Sequence, residues 1–147
     1  MPIKAGIEQS QSIQVSVNGP GDIANMFITC GLLLVPFDLQ QPTGDGSQSV
    51  SFSTMLPQPL IAVGKFRRAI ASASLAGISS SAAAGNTSLV GNAFNVTIDN
   101  VDADYDDESG QIELRVDVFF GAHMGEIRVT KLSFQVITLL ATYVPFF

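Results

Sequence analysis

Between residues 111 and 118 apolar and polar side chains alternate: Ile112, Leu114, Val116 and Val118 interleave with Gln111, Glu113, Arg115 and Asp117, and Phe120 extends the apolar set. Successive side chains of a strand point to opposite faces, so this period of two gives one core face and one wet face. A helix would scatter the same residues around its circumference. The pattern recurs at Phe94, Val96 and Ile98, which alternate with Asn95, Thr97 and Asp99. Shorter versions occur at Val50 and Phe52, and at Ile13, Val15 and Val17. Residues 25–37 read as an apolar strand or strand pair, broken near Gly31 and closed by Pro36, and residues 126–143 as one bent strand or two. About eight strands at this spacing imply an all-β fold, an antiparallel β-sandwich or jelly roll. A chain of 147 residues is expected to form a single domain over 1–147, with a short N-terminal arm, 1–9, and an apolar tail, 143–147.

Turn chemistry punctuates the pattern. Asn18-Gly19-Pro20-Gly21 is a turn by composition, and so is the loop expected over residues 39–47. Pro57 and Pro59 place residues 60–63 at a sheet edge or a strand start. An acidic turn is expected over 102–110 and a glycine-rich turn over 121–125. Residues 65–81 fit either two or three helical turns, on alanine propensity, or a strand with Ala69, Ala71, Ala73 and Leu75 on one face. The β pattern around them and the lack of a helix cap favour the strand. Residues 69–91 contain 16 Ala, Ser or Gly in 23, which makes 79–91 a surface loop or a surface of close approach to a neighbouring subunit.

The last sixteen residues, 132–147, carry no charge. They fall short of the roughly 20 apolar residues of a spanning helix, and Ser133, Gln135, Thr138 and Thr142 interrupt them, so membrane insertion is not expected. Hydrophobic residues make up 46% of the chain and charged ones 14%, against the usual quarter charged, and the mean hydropathy is +0.34. Such a chain leaves apolar surface for a partner, and a homo-oligomer is the expected assembly. Its interface is expected at Leu139, Leu140, Tyr143, Val144, Phe146 and Phe147. The net charge of −6, from 13 acids and 7 bases, argues against nucleic-acid binding, which needs a basic face. The N-terminal residues lack the apolar stretch of a signal peptide, and a virion or a cytoplasmic assembly are both consistent locations.

Eight of the 13 acids fall between Asp99 and Asp117. Asp102, Asp104 and Asp106 are two apart, and Glu113 stands at the twelfth position of a loop counted from Asp102, the spacing that collects hard oxygens around calcium. The sixth position is Asp107 where an EF-hand requires glycine, which leaves a looser calcium site, a solvated turn, or a dock for Lys65, Arg67 and Arg68 of a second copy. Cys30 sits in an apolar run and reads as a buried thiol, and the chain's single histidine is His123. The sequence has no nucleophile elbow, phosphate loop or zinc-ligand set, so enzymatic activity is not expected.

Residues 49–64 (Ser-Val-Ser-Phe-Ser-Thr-Met-Leu-Pro-Gln-Pro-Leu-Ile-Ala-Val-Gly) and 91–98 (Gly-Asn-Ala-Phe-Asn-Val-Thr-Ile) resemble part of the H-type lectin pattern. The resemblance implies a small β-sandwich that assembles as a trimer or hexamer and binds sugars in grooves between subunits. The chain has no tryptophan and two tyrosines. Two functions are therefore expected: a non-enzymatic structural protein assembling into a symmetric oligomer or array, such as a virion or surface component, or alternatively a carbohydrate-binding lectin-like module.

Overall fold

The structure is a computed structural model, described for residues 2–16, 23–82 and 93–141. The described residues form six strands and no helix: β1 (Ile3–Lys4), β2 (Gly6–Ser16), β3 (Ile23–Met55), β4 (Phe66–Ala82), β5 (Ala93–Asp106) and β6 (Gln111–Ala141). The fold is all-β, as expected. The strands belong to one sheet, antiparallel except where β1 runs parallel to β3. Counting the two arms of β3 and of β6 separately recovers the eight strands read from the pattern.

The sheet is built on one long ribbon. β3 and β6 pair along nearly their whole lengths, from Ile23 opposite Ala141 to Met55 opposite Glu113. In the first arm, β2 flanks β3 and β4 flanks β6. In the second arm, β1 lies beside β3 and β5 beside β6. The ribbon is curled back on itself. Phe66 pairs with Leu140 at one end of β6 and Tyr105 pairs with Ile112 at the other, yet their rings stack with centroids 4.8 Å apart. A straight strand of that length would separate them by roughly 90 Å. The segment 56–65 closes the gap: the Leu56 amide donates to Ile112, the Ala141 amide donates to Lys65, and the Tyr105 hydroxyl donates to the Ile61 carbonyl. The inner faces of both arms thus share one core, with Leu33, Phe52, Val118, Phe120, Leu132 and Val136 all buried.

Two irregularities in β6 make the curl possible. Buried residues alternate from Ile112 to Ala122, resume at Gly125, Ile127 and Val129, and shift again to Leu132, Phe134 and Val136. At each break two residues intervene instead of one. Met124 and Thr130 have no registered partner in the strands on either side, and Met124 has a left-handed φ of 55°. Such bulges bend a strand and sharpen its twist while keeping apolar side chains inward. β5 does the same at Asp99, where the register slips and the inward set changes from Phe94, Val96 and Ile98 to Val101, Ala103 and Tyr105.

Several boundaries differ from the sequence reading. Residues 39–47 are not a loop; β3 continues through them, with the slip between Gln41 and Asp45 absorbing the turn-forming residues. Residues 121–125 are likewise a bulge inside β6 and not a turn. The acidic segment is mostly strand, because β5 runs to Asp106 and the turn follows it. Residues 60–63 lie outside any strand. Residues 66–82 are strand, as the pattern favoured, with Ala69, Ala71 and Ala73 packed against the core. Part of the expected N-terminal arm is in the sheet as β1 and the start of β2. The expected turn at 18–21, most of the loop 79–91 and the tail 143–147 lie outside the described residues.

Candidate functional site

The two arms present different chemistry on their outer faces. In the first arm the register aligns Ile13 of β2, Ile28 of β3, Ile137 of β6 and Ile70 of β4 in one row across four adjacent strands. The next row holds Val15, Met26, Leu139 and Arg68. These positions alternate with the buried Phe27, Thr29, Val136 and Thr138, so the rows point outward. Ile13 and Ile70 are 47% and 46% exposed, well beyond what a core isoleucine shows. The row arises because β-branched residues, favoured in strands, here occupy the solvent parity of four strands at once. Toward the bend the same face turns polar, with Cys30, Gln135 and Ser72 in one row and a Ser74–Ser133 hydroxyl pair at 2.6 Å in the next.

The second arm's outer face is polar. Ser47, Ser49, Ser51 and Ser53 face Gly121, Phe119, Asp117 and Arg115 in turn. Asp117 accepts from Ser51 at 2.6 Å and from Arg115 at 3.2 Å. The Ser51 hydroxyl, with Arg115 adding to it, holds the Asp117 carboxyl below its ordinary range. At the bend an open cleft of about 240 Å³ is lined by Asp45, Asn95, Phe94, Phe119, Gly121 and His123. His123 Nδ1 and Asp45 Oδ1 are 2.5 Å apart. Asn95 uses its carbonyl to accept from Thr97 at 3.2 Å. The ring of Phe119 leans toward Gly121, where a Cβ would sit 3.4 Å from its edge.

The expected interface residues separate. Leu139 is on the outer face beside the isoleucine row, whereas Leu140 is 7% exposed and belongs to the core. Leu140 is therefore corrected to an inward-facing residue: its parity is that of Val136 and Thr138. Tyr143, Val144, Phe146 and Phe147 lie outside the described residues. Asp102 and Asp104 lie on the edge strand β5, opposite Arg115 and Glu113 of β6, which is paired on both sides. Asp106 instead holds the hairpin turn, accepting from the Ser109 hydroxyl at 2.8 Å and the Glu108 amide at 3.1 Å. Those two bonds, the hydroxyl's the stronger, lower its pKa. Among the described residues no group of three or more His, Cys, Asp or Glu side chains converges as a cation would require.

Cys30 is half-buried on the outer face, not enclosed as its apolar neighbours suggested. It pairs with Gln135 in the first arm and is remote in register from His123. Arg67, from the basic cluster, donates to the Gly64 carbonyl at 2.7 Å and so fixes the turn before β4. Sequence reading missed both the isoleucine row and the Asp45–His123 pair. Each depends on register between strands distant in the chain. Among the described residues no helix is long and apolar enough to cross a membrane. Compared with protein-family models, curated proteins and solved structures, the chain matches none.

Proposed function

We propose that the chain is a non-enzymatic structural protein whose copies assemble through the outer face of the first arm, as a component of a virion, a surface layer or a comparable symmetric array. The isoleucine row carries this reading. Four isoleucines side by side span about 15 Å of uncharged surface, and each large side chain covered by a partner contributes on the order of 1.5–3 kcal/mol before ordering costs. A second copy is the occupant because the row has no charge by which to select a different partner, and an identical row is its shape and polarity match. A stable contact covers about 800 Å² per partner, so the row forms its centre and Leu139, Met26 and Val15 its continuation.

The test is native mass by light scattering for the unmodified chain and for Ile13→Glu/Ile70→Glu. Both positions are already near half exposed, so the carboxylates stay hydrated and the circular dichroism of the variant should match that of the parent. The parent is expected at a multiple of 15.5 kDa and the variant at a lower mass; equal masses count against the reading.

A second reading is favoured by the cleft at the bend. Phe119 offers an apolar ring beside the gap at Gly121, and Asp45, His123 and the free amide of Asn95 surround it with acceptors and donors. That combination suits a saccharide, whose C–H face lies on the ring while its hydroxyls bind the polar groups. Binding on a glycan array that Asn95→Ala and Phe119→Ala both abolish supports it; an array without signal removes it.

A further inference from the structure

We infer that the free edge of β4 pairs with the β4 edge of a second copy, so that two sheets join into one across a two-fold axis; this rests on the assembly reading above and names a contact distinct from the isoleucine face. A free strand edge carries unpaired N–H and C=O groups and invites another strand unless something blunts it. The other described edges are blunted over part of their length, which leaves uncharged, unbroken stretches of six residues at Gln11–Ser16 of β2 and Ala93–Ile98 of β5. β2 carries Glu8 and is broken at Gln9, whose φ is 52° and where the register jumps from Glu8 to Gln11. In the second arm β1 lies along β3, with Ile3 and Lys4 opposite Phe52 and Ser53 and the Ala5 amide bonded to Ser53. β5 is bulged at Asp99 and carries Asp102 and Asp104 beyond it.

β4 keeps its register breaks to either side of residues 69–75, between Phe66 and Arg68 and from Leu75 to Ile78, and has the longest uncharged run of the described edges. Among the described residues it pairs only with β6. No charged residue stands between Arg68 and Asp99, and no proline lies within β4. Its register with β6 is unbroken from Ala69 to Leu75, a straight stretch long enough for a strand of common length. Ile70, Leu75 and Ile78 are 46%, 40% and 53% exposed along it, a cost in water that a neighbouring strand removes. An identical strand is the fitting partner. Acidic edges such as that of β5 repel their own copies, whereas a neutral edge meets no like charge on pairing with itself.

Antiparallel pairing of residues 69–75 about a two-fold axis sets Ser72 opposite Ser72 of the other copy, with Ile70 opposite Ser74 on the same outer face. The edge contact and the face contact are both self-complementary: the first uses the backbone of β4 and the second the outer side chains, with Ile70 bordering both. Two such contacts on one chain generate a closed tetramer when their axes meet at right angles, and an extended array when they do not meet.

The experiment is oxidative cross-linking of the full-length chain carrying Cys30→Ser and one new cysteine at Ser72, Ser74, Ala76 or Ser79. Facing residues near a two-fold axis bring their Cα atoms to about 4.5–5.5 Å, within disulfide reach, and residues farther along the strand separate in opposite directions. The expected result is a disulfide dimer that peaks at Ser72 and falls away toward Ser79. The peak should survive Ile13→Glu, which lies three strands away on β2 and touches only the face contact. An oligomer that persists with no cross-linking peak at any position overturns the edge pairing and leaves the face contact standing. A monomeric parent with no cross-linking overturns both.

Discussion

Two buried threonines show how differently the same side chain can sit in this core. Thr29 and Thr138 are both fully buried on the inner face of the first arm. The Thr29 hydroxyl lies 3.1 Å from that of Ser12 and donates to Gln58 at 2.8 Å, tying β2 and the segment 56–65 to β3. The Thr138 hydroxyl has no hydrogen-bond partner among the described residues. A buried hydroxyl without a partner forfeits its hydration, and replacing it by a group of the same shape removes that loss. Thr138→Val is therefore expected to stabilise the fold by about 1 kcal/mol, which in a chain of this length raises the melting temperature by roughly 2–4 °C. Thr29→Val should do the opposite by stranding Gln58. Calorimetry of both variants checks the contrast, and equal effects would contradict it.

At the scale of elements, the alternating strands were legible in the sequence and the bulges were not. Ile112 to Phe120, Phe94 to Ile98 and Val50 to Phe52 face the core as their period of two requires. Gly121 and Gly125 read as a turn, and Pro42, Gly44 and Gly46 as a loop, because such residues commonly end strands. Here a partner strand of equal length carries the chain through both places, and the same residues serve as slips in a continuous ladder. Local composition signals irregularity; only pairing between distant segments decides whether that irregularity reverses the chain or bends it. The outer isoleucine row was hidden for a related reason, since it exists only once four registers are known.

The bulge at Met124 gives this account a sharp test. Deleting Met124 leaves a single residue between the buried Ala122 and Gly125, so both apolar sets keep their inward facing while the bulge that bends β6 between its two arms is lost. The deletion is expected to abolish cooperative unfolding in a denaturant melt. Met124→Gly keeps the residue count, suits the left-handed φ of 55° and should stay within about 1 kcal/mol of the parent. A stable, cooperatively folding deletion variant would show that the curl of the ribbon does not depend on the bulge at Met124.

For the whole molecule, the curled ribbon creates two outer faces of unlike character. One is polar and carries the bend cleft, and the other carries the isoleucine row. A chain with 14% charged residues leaves apolar side chains exposed on the first arm and the β4 edge, and also at Leu60 and Val63 in the segment 56–65. The tail 143–147 was the expected interface, and its apolar sequence continues from the end of β6 beside Leu139 and Leu140. Leu140 turned inward because one strand cannot present neighbouring residues to the same face. Assembly through the outer face is apolar, so it should resist salt, unlike a contact between the acidic strand β5 and the basic residues near Arg68. The most direct measurement is the native mass of the unmodified chain at micromolar concentration, in dilute buffer and again in molar salt. A multiple of 15.5 kDa in both buffers is the predicted result. A single-chain mass in either contradicts the account.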